Sequence, residues 1–232
     1  MERPVFLKEN IYHLYNRGVK KRNIFNNTKD YLRFIADIYD FNDTRPALNH
    51  GYKLNHASIE VGLQYGERSE LVKILAFCLM PNHYHLVVKP ELENGITEFM
   101  RKLGTGYTNY FNTKHKRVGP LFQGKFKAVL IEKETHLLNL PHYIHLNPLK
   151  ILTSPNIQNK VKDASHTIEI LKTYRWSSLL DYLGVNNFPK IVKKDFFLES
   201  AGGLENFLAN MRSGLENKLF FDSLNELKLE LD

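Results

Sequence analysis

Two short stretches carry side chains whose spacing suits phosphate chemistry. In His83-Tyr84-His85 the histidines are two residues apart. On a strand, residues i and i+2 point to one face, with Cα atoms about 6.5–7 Å apart, so the two imidazoles can converge on one ion. Tyr84 then faces the other way, into the core or against a helix. Ten histidines in the chain also allow two surface histidines to alternate by chance, and imidazole is an unselective ligand. A metal site therefore requires a third ligand.

The second stretch is Pro141-His142-Tyr143-Ile144-His145-Leu146-Asn147-Pro148. On a helix Tyr143 and Asn147 are i and i+4 and share a face, and His145 points away from it. A side-chain amide oxygen is a hard ligand suited to Mg²⁺ or Mn²⁺. With His83, His85 and Asn147 around an ion, Tyr143 stands beside a Lewis acid that polarises a non-bridging phosphate oxygen. In-line attack by the phenol would form a phosphotyrosine and conserve the phosphodiester energy for rejoining. A phenol titrates near pH 10, so it needs help to ionise. The prolines also support another reading. Both disturb helices, and a kinked core helix would bury Tyr143 and leave Asn147 capping its end.

Lys114, Lys116 and Arg117 form a local run of one sign. Together with Lys125 and Lys127, expected to alternate on one face of a strand, they could track phosphates. Phe122 and Gln123 could stack on or read a base, or simply pack. Tyr107 lies on an apolar helical stripe and reads as core; Tyr110 is a minor alternative nucleophile. There is no glycine-rich phosphate loop and no Gly-x-Ser-x-Gly elbow.

The elements that must hold these groups follow from periodicity. Ile11–Tyr15 reads as a strand broken by Asn16-Arg17-Gly18, and Thr28 as the cap of a helix bearing Tyr31, Phe34, Ile35 and Ile38. Residues 42–70 read as an irregular insertion. The apolar run Val72–Met80 suits a central strand covered on both faces, turned by Pro81-Asn82 into a second strand from His83 to Val88. A helix with Ile96, Phe99, Met100, Leu103, Tyr107 and Phe111 on one face follows, weakened at Gly104 and Gly106 by about 1 kcal/mol each. Phe126–Ile131 is a fourth strand, and helical spacing returns from about Thr135 to Asn147. This order is the split βαβ arrangement of an α+β, ferredoxin-like sandwich, a four-stranded antiparallel sheet with helices on one face and an added helix. Residues 153–172 read as loop and Trp176–Leu183 as a short helix. Leu204, Phe207, Leu208 and Met211 recur at helical spacing, so the extension reads as mainly helical.

The net charge of +7 suggests a polyanionic partner, phosphate being the usual one. The one cysteine, Cys78, excludes an internal disulfide or a cysteine zinc site and fits a reducing cytoplasm. Met1–Leu7 lacks the apolar segment of a signal peptide, and no stretch approaches the roughly 20 apolar residues of a spanning helix.

Met80–Val88, Gly119–Lys127 and Tyr143–Pro148, followed by Arg175-Trp176-Ser177-Ser178 and Tyr182-Leu183-Gly184, resemble the single-tyrosine HUH transposases of the IS200-like kind, especially the REP-associated tyrosine transposases of bacteria. The resemblance spans about residues 8–185. It implies a catalytic domain over residues 1–152, an extension over 153–232, and action on single-stranded or hairpin DNA in the bacterial cytoplasm, at the nucleoid when bound. It also implies Mg²⁺ or Mn²⁺ on His83 and His85, Tyr143 as nucleophile, and a 5′-phosphotyrosine with a free 3′-OH. Asn147 occupies the place where related insertion-sequence transposases carry glutamine. A non-catalytic nucleic-acid-binding module on the same fold and a zinc hydrolase using the histidines are the rival readings. No small-molecule substrate or membrane is implied, and monomer and homodimer both stay open.

Overall fold

The computed structural model describes residues 3–46, 68–152 and 164–216. Strand β1 (Ile11–Arg17) leads to helix α1 (Thr28–Phe41), then to the hairpin of β2 (Val72–Met80) and β3 (His83–Pro90). Helix α2 (Gly95–Lys114), strand β4 (Lys127–Ile131) and helix α3 (Glu134–Leu146) follow. The sheet order is β2-β3-β1-β4, every pair antiparallel. This is the expected ferredoxin-like sandwich.

Strand periodicity divides the sheet into two chemically different faces. Tyr12, Leu14 and Asn16 of β1 stand opposite Val88, Leu86 and Tyr84 of β3. This apolar face receives α1 and α2. The Phe34 ring lies 5.0 Å from Tyr84 and 4.8 Å from Tyr107 between centroids. Gly106 has its reason here: a Cβ would come within 2.3 Å of the Phe41 ring, so the two helices need a bare backbone at their crossing. Gly104 has nothing within 4 Å and no such reason. The opposite face carries His13, Tyr15 and Arg17 of β1 beside Val87, His85 and His83 of β3. Helix α3 covers it.

Several local expectations change. β1 runs through Asn16 to Arg17 because both still pair with β3. Asn27, not Thr28, caps α1: its side-chain oxygen accepts from the N–H groups of Lys29 (3.1 Å) and Asp30 (3.3 Å). β4 begins at Lys127, so Lys125 lies outside the strand and does not alternate with Lys127 on it. Part of the stretch read as loop over 153–172 is helix α5 (Ala164–Lys172), with Ala164, Thr167, Ile168 and Leu171 buried along one side. Residues 153–163, and 47–67 of the expected insertion, lie outside the described residues.

The C-terminal region adds α4 (Leu149–Leu152), α6 (Leu179–Tyr182), α7 (Asp195–Ser200) and α8 (Leu204–Glu216). The short helix expected over Trp176–Leu183 contracts to α6. Residues 174–193 run along the outer edge of β2. Leu79 N–H donates to Trp176 C=O (2.8 Å), Ser178 N–H to Phe77 C=O (3.0 Å) and Lys193 N–H to Ile74 C=O (2.8 Å). The Tyr174 and Tyr182 hydroxyls donate to Leu79 and Leu75 carbonyls. A sheet edge that would otherwise expose a row of unpaired backbone groups is thereby closed. Among the described residues, no helix is long and apolar enough to cross a membrane.

Candidate active site

The polar face of the sheet and α3 enclose a cluster of buried polar atoms. His83 and His85 share that face as their spacing requires, with ring centroids 5.0 Å apart and nearly perpendicular. His83 Nδ1 is 2.6 Å from Asn82 Oδ1, and His85 Nδ1 is 2.9 Å from Nε2 of His13 on β1. Both Nε2 atoms are buried with no hydrogen-bond partner.

Tyr143 arrives from α3 with its ring edge-on to the imidazoles, 5.8 Å from His85 and 6.0 Å from His13 between centroids. Asn147 keeps a right-handed helical backbone although Pro148 follows, so it stays on the tyrosine's face. Its Nδ2 donates to the Tyr143 carbonyl at 2.9 Å, which satisfies one of the open carbonyls at the helix end. The same bond orients the amide and leaves Oδ1 buried and without a partner, as is the Tyr143 hydroxyl. The capping role and the shared face therefore coexist. His145 does point away: its Nε2 lies 2.8 Å from Ser178 Oγ.

Burial dominates the electrostatics. It pushes His13 and His83 down to about 3, and Arg17 and Lys150 push His83 in the same direction. His85 is driven well below its ordinary value by burial, then by His83 and His13. Neutral imidazoles are the ligand form. The Tyr143 phenol is pushed up to about 12 by burial, partly offset by the neighbouring Asn147 amide. That amide comes close without making a hydrogen bond of good geometry.

These residues fit a divalent ion. His83 Nε2, His85 Nε2 and Asn147 Oδ1 are buried without partners; the amide oxygen is an acceptor, and each Nε2 is one when the ring's proton sits on Nδ1. Among the described residues, no group of three or more His, Cys, Asp or Glu could hold a metal. An ion on the histidine pair would need an oxygen ligand of another kind, and an amide oxygen supplies one.

The expected DNA-contacting residues separate. Lys114 is committed to structure: its Nζ lies 2.5 Å from Oδ1 of the fully buried Asp30, 3.0 Å from Asn27 Oδ1 and 3.0 Å from the Tyr110 hydroxyl. Its charge therefore already serves a buried carboxylate. Arg117 donates to Asn112 Oδ1, while Lys116 is exposed with a left-handed φ of 50°. Gln123 and Lys125 are exposed. Lys127 pairs with Tyr15 in register, on the imidazole face. Phe122 is buried edge-on against Tyr84, so packing, not base stacking, explains it. Tyr107 is core, its hydroxyl bonded to Ile24 C=O, and Tyr110 bonds Asp30. Both sit on α2, across the sheet from His85.

Four neighbours of the site were not anticipated. His13 and Arg17 come from β1, Asn82 was read only as a turn residue, and Lys150 follows Asn147 by three positions. The available signal for His13 was its alternation with Tyr15, but its partner depends on β1 lying beside β3.

Comparison with known proteins comes to the same region. Residues 55–147 match the family model described as "Transposase IS200 like", an interval that contains both histidines and Tyr143 and ends on Asn147. It is narrower than the resemblance over residues 8–185 and leaves β1 and α1 outside. Among solved structures, the chain is similar to a REP-associated tyrosine transposase bound to a REP hairpin, at 12% identity and a TM-score of 0.48, over 82% of this chain and 89% of that one. Comparison with curated proteins finds no match.

Proposed function

With residues 55–147 matching the IS200-like transposases, we propose that the protein is a metal-dependent strand transferase that cleaves and rejoins single-stranded or hairpin DNA through Tyr143. The observation that supports this reading is that His83 Nε2, His85 Nε2, Asn147 Oδ1 and the Tyr143 hydroxyl are all buried without partners, with the Tyr143 ring 5.8 Å from that of His85 and the two imidazoles 5.0 Å apart between centroids. When bound there, Mg²⁺ or Mn²⁺ supplies Lewis-acid polarisation of the scissile phosphate.

The chain's own residues do the rest. Tyr143 gives up its phenolic proton and its oxygen forms a bond to phosphorus, while the bond from phosphorus to the 3′ oxygen breaks. The 3′ oxygen leaves as a hydroxyl and the 5′ phosphate stays on Tyr143. Attack on that phosphotyrosine by a 3′-OH reverses the step and joins the ends. Arg17, which stands opposite His83, and Lys150 supply positive charge near the reacting phosphate; both act electrostatically on the histidines. Lys127, Lys116, Arg117, Lys125 and Gln123 are proposed to guide the strand, and Lys114 is not.

The test is a labelled hairpin oligonucleotide incubated with Mn²⁺ and resolved on a denaturing gel. A covalent adduct is expected from the wild type and none from Tyr143→Phe, with DNA binding retained. Cleavage that survives Tyr143→Phe would instead support a metal-activated water.

A further inference from the structure

We propose that Asn82 and His13 are positioning residues that fix the tautomers of His83 and His85, so that both Nε2 lone pairs face the same space. The inference rests on the metal-binding reading above and says how the fold makes that reading possible. A neutral imidazole carries one proton, and only the other nitrogen can act as a ligand.

For His83 the proton position follows from a chain of bonds that starts at the backbone. Lys20 and Lys21 both adopt left-handed φ values, 55° and 59°, and the Lys21 carbonyl meets Asn82 Nδ2 at 3.1 Å. A carbonyl can only accept, so the Asn82 atom facing it is the NH₂ group. Oδ1 is then the amide atom 2.6 Å from His83 Nδ1. An amide oxygen also can only accept, so Nδ1 bears the proton. His83 Nε2 is left with a lone pair, buried and unpartnered.

For His85 the partner is His13, with 2.9 Å between His85 Nδ1 and His13 Nε2. Either nitrogen could donate in isolation. Only donation from His85 Nδ1 to His13 Nε2 leaves a lone pair on His85 Nε2, beside that of His83. On this assignment His13 carries its own proton on Nδ1, which has no partner, and through Nε2 it supports His85. Supporting partners of this kind hold ring orientation as well as proton position, and their loss typically costs 10–100-fold in metal affinity.

The experiment has two arms. Long-range ¹H–¹⁵N spectra of the metal-free wild type should show His83 and His85 both protonated at Nδ1. Finding His85 protonated at Nε2 overturns the assignment for His13, and the same result at His83 overturns that for Asn82. This arm needs no variant and no metal. In the second arm, Mn²⁺ affinity is measured by electron paramagnetic resonance on folded variants. His13→Leu and Asn82→Ala should each weaken binding about 10–100-fold. His13→Gln and Asn82→Asp keep an acceptor for the Nδ1 proton and should stay near wild type. Asn82→Asp cannot donate to Lys21, so equal losses in Asp and Ala would mean that Asn82 only holds the turn, against the proposal. A wild type that binds no Mn²⁺ but shows both Nδ1 protons would defeat the metal reading and leave the tautomer assignment standing.

Discussion

Replacing Tyr143 with Phe should raise the protein's stability while abolishing its covalent chemistry. The Tyr143 side chain is 4% exposed, and its hydroxyl has no hydrogen-bond partner. Burying a hydroxyl without a partner costs about 1–3 kcal/mol, because its bonds to water are lost and not replaced. Nearby Asn147 recovers part of this, as its effect on the phenol shows, so removal of the oxygen is expected to stabilise by about 1 kcal/mol. For a chain of this size that is a rise in Tm of about 2–4 °C. The protein contains its own controls. The hydroxyls of Tyr107, Tyr174 and Tyr182 each donate to a backbone carbonyl, at 2.5, 2.6 and 2.7 Å. Their Phe variants leave a buried carbonyl unsatisfied and should each lose about 1–3 kcal/mol. Urea unfolding in EDTA removes any contribution from metal binding, which would stabilise the folded state by mass action. The sign is what matters. If Tyr143→Phe loses as much stability as Tyr174→Phe, the hydroxyl is a structural group and the argument that it is held ready for chemistry fails.

The two glycines of α2 should respond in opposite directions. Gly104→Ala is expected to stabilise by about 1 kcal/mol, since only helix propensity changes there. Gly106→Ala should destabilise by about 1–3 kcal/mol by pressing on Phe41; equal effects in thermal melts would contradict the close crossing of α1 and α2. Asp37 gives a pH signature. Burial raises its carboxyl to about 7 despite the Arg33 ion pair at 2.8 Å. A folded-state value above the unfolded one favours the folded state at low pH, and that advantage is lost as pH rises from about 4 through about 7. Wild type should therefore lose about 2–3 kcal/mol relative to Asp37→Asn between pH 5 and pH 8 in urea titrations; a constant difference would refute it. Lys114→Ala should lower Tm in thermal melts because it removes the cation paired with the buried Asp30; an unchanged Tm would show that the pair contributes nothing. If Lys127 meets a phosphate, Lys127→Ala should reduce the salt slope of single-strand binding by about 0.7; an unchanged slope would refute that contact.

What the sequence disclosed follows the range over which its signals act. The facing of His83 with His85 and of Tyr143 with Asn147 needs only the repeat of one strand and one helix, and both hold. The continuous apolar run Val72–Met80 is buried apart from Lys73. Groups that depend on a second element were out of reach. His13 meets His85 only because β1 lies beside β3. Lys114 belongs to Asp30, 84 positions earlier, and a local run of charge cannot reveal that. Phe122 is packing because the loop before β4 folds back on the end of β1, where Gln123 N–H donates to Arg17 C=O at 2.9 Å. Helix α5 is a different case, since Ala164, Thr167, Ile168 and Leu171 do recur at helical spacing. The polar residues between them hid a signal that was present.

The same physics explains why the site stands out in the structure more than in the sequence. Folding normally removes unsatisfied polar atoms from the interior, because each one costs free energy that a marginally stable domain can scarcely spare. Here His13 Nδ1, His83 Nε2, His85 Nε2, the Tyr143 hydroxyl and Asn147 Oδ1 are all left without partners between one sheet face and one helix. Asn42, by contrast, uses its whole side-chain amide on Leu71 and Val72. If the proposed ion and phosphate bind here, they would give the acceptors and the hydroxyl partners together, and the cost of burying those atoms would be offset where the proposed attack on phosphorus takes place.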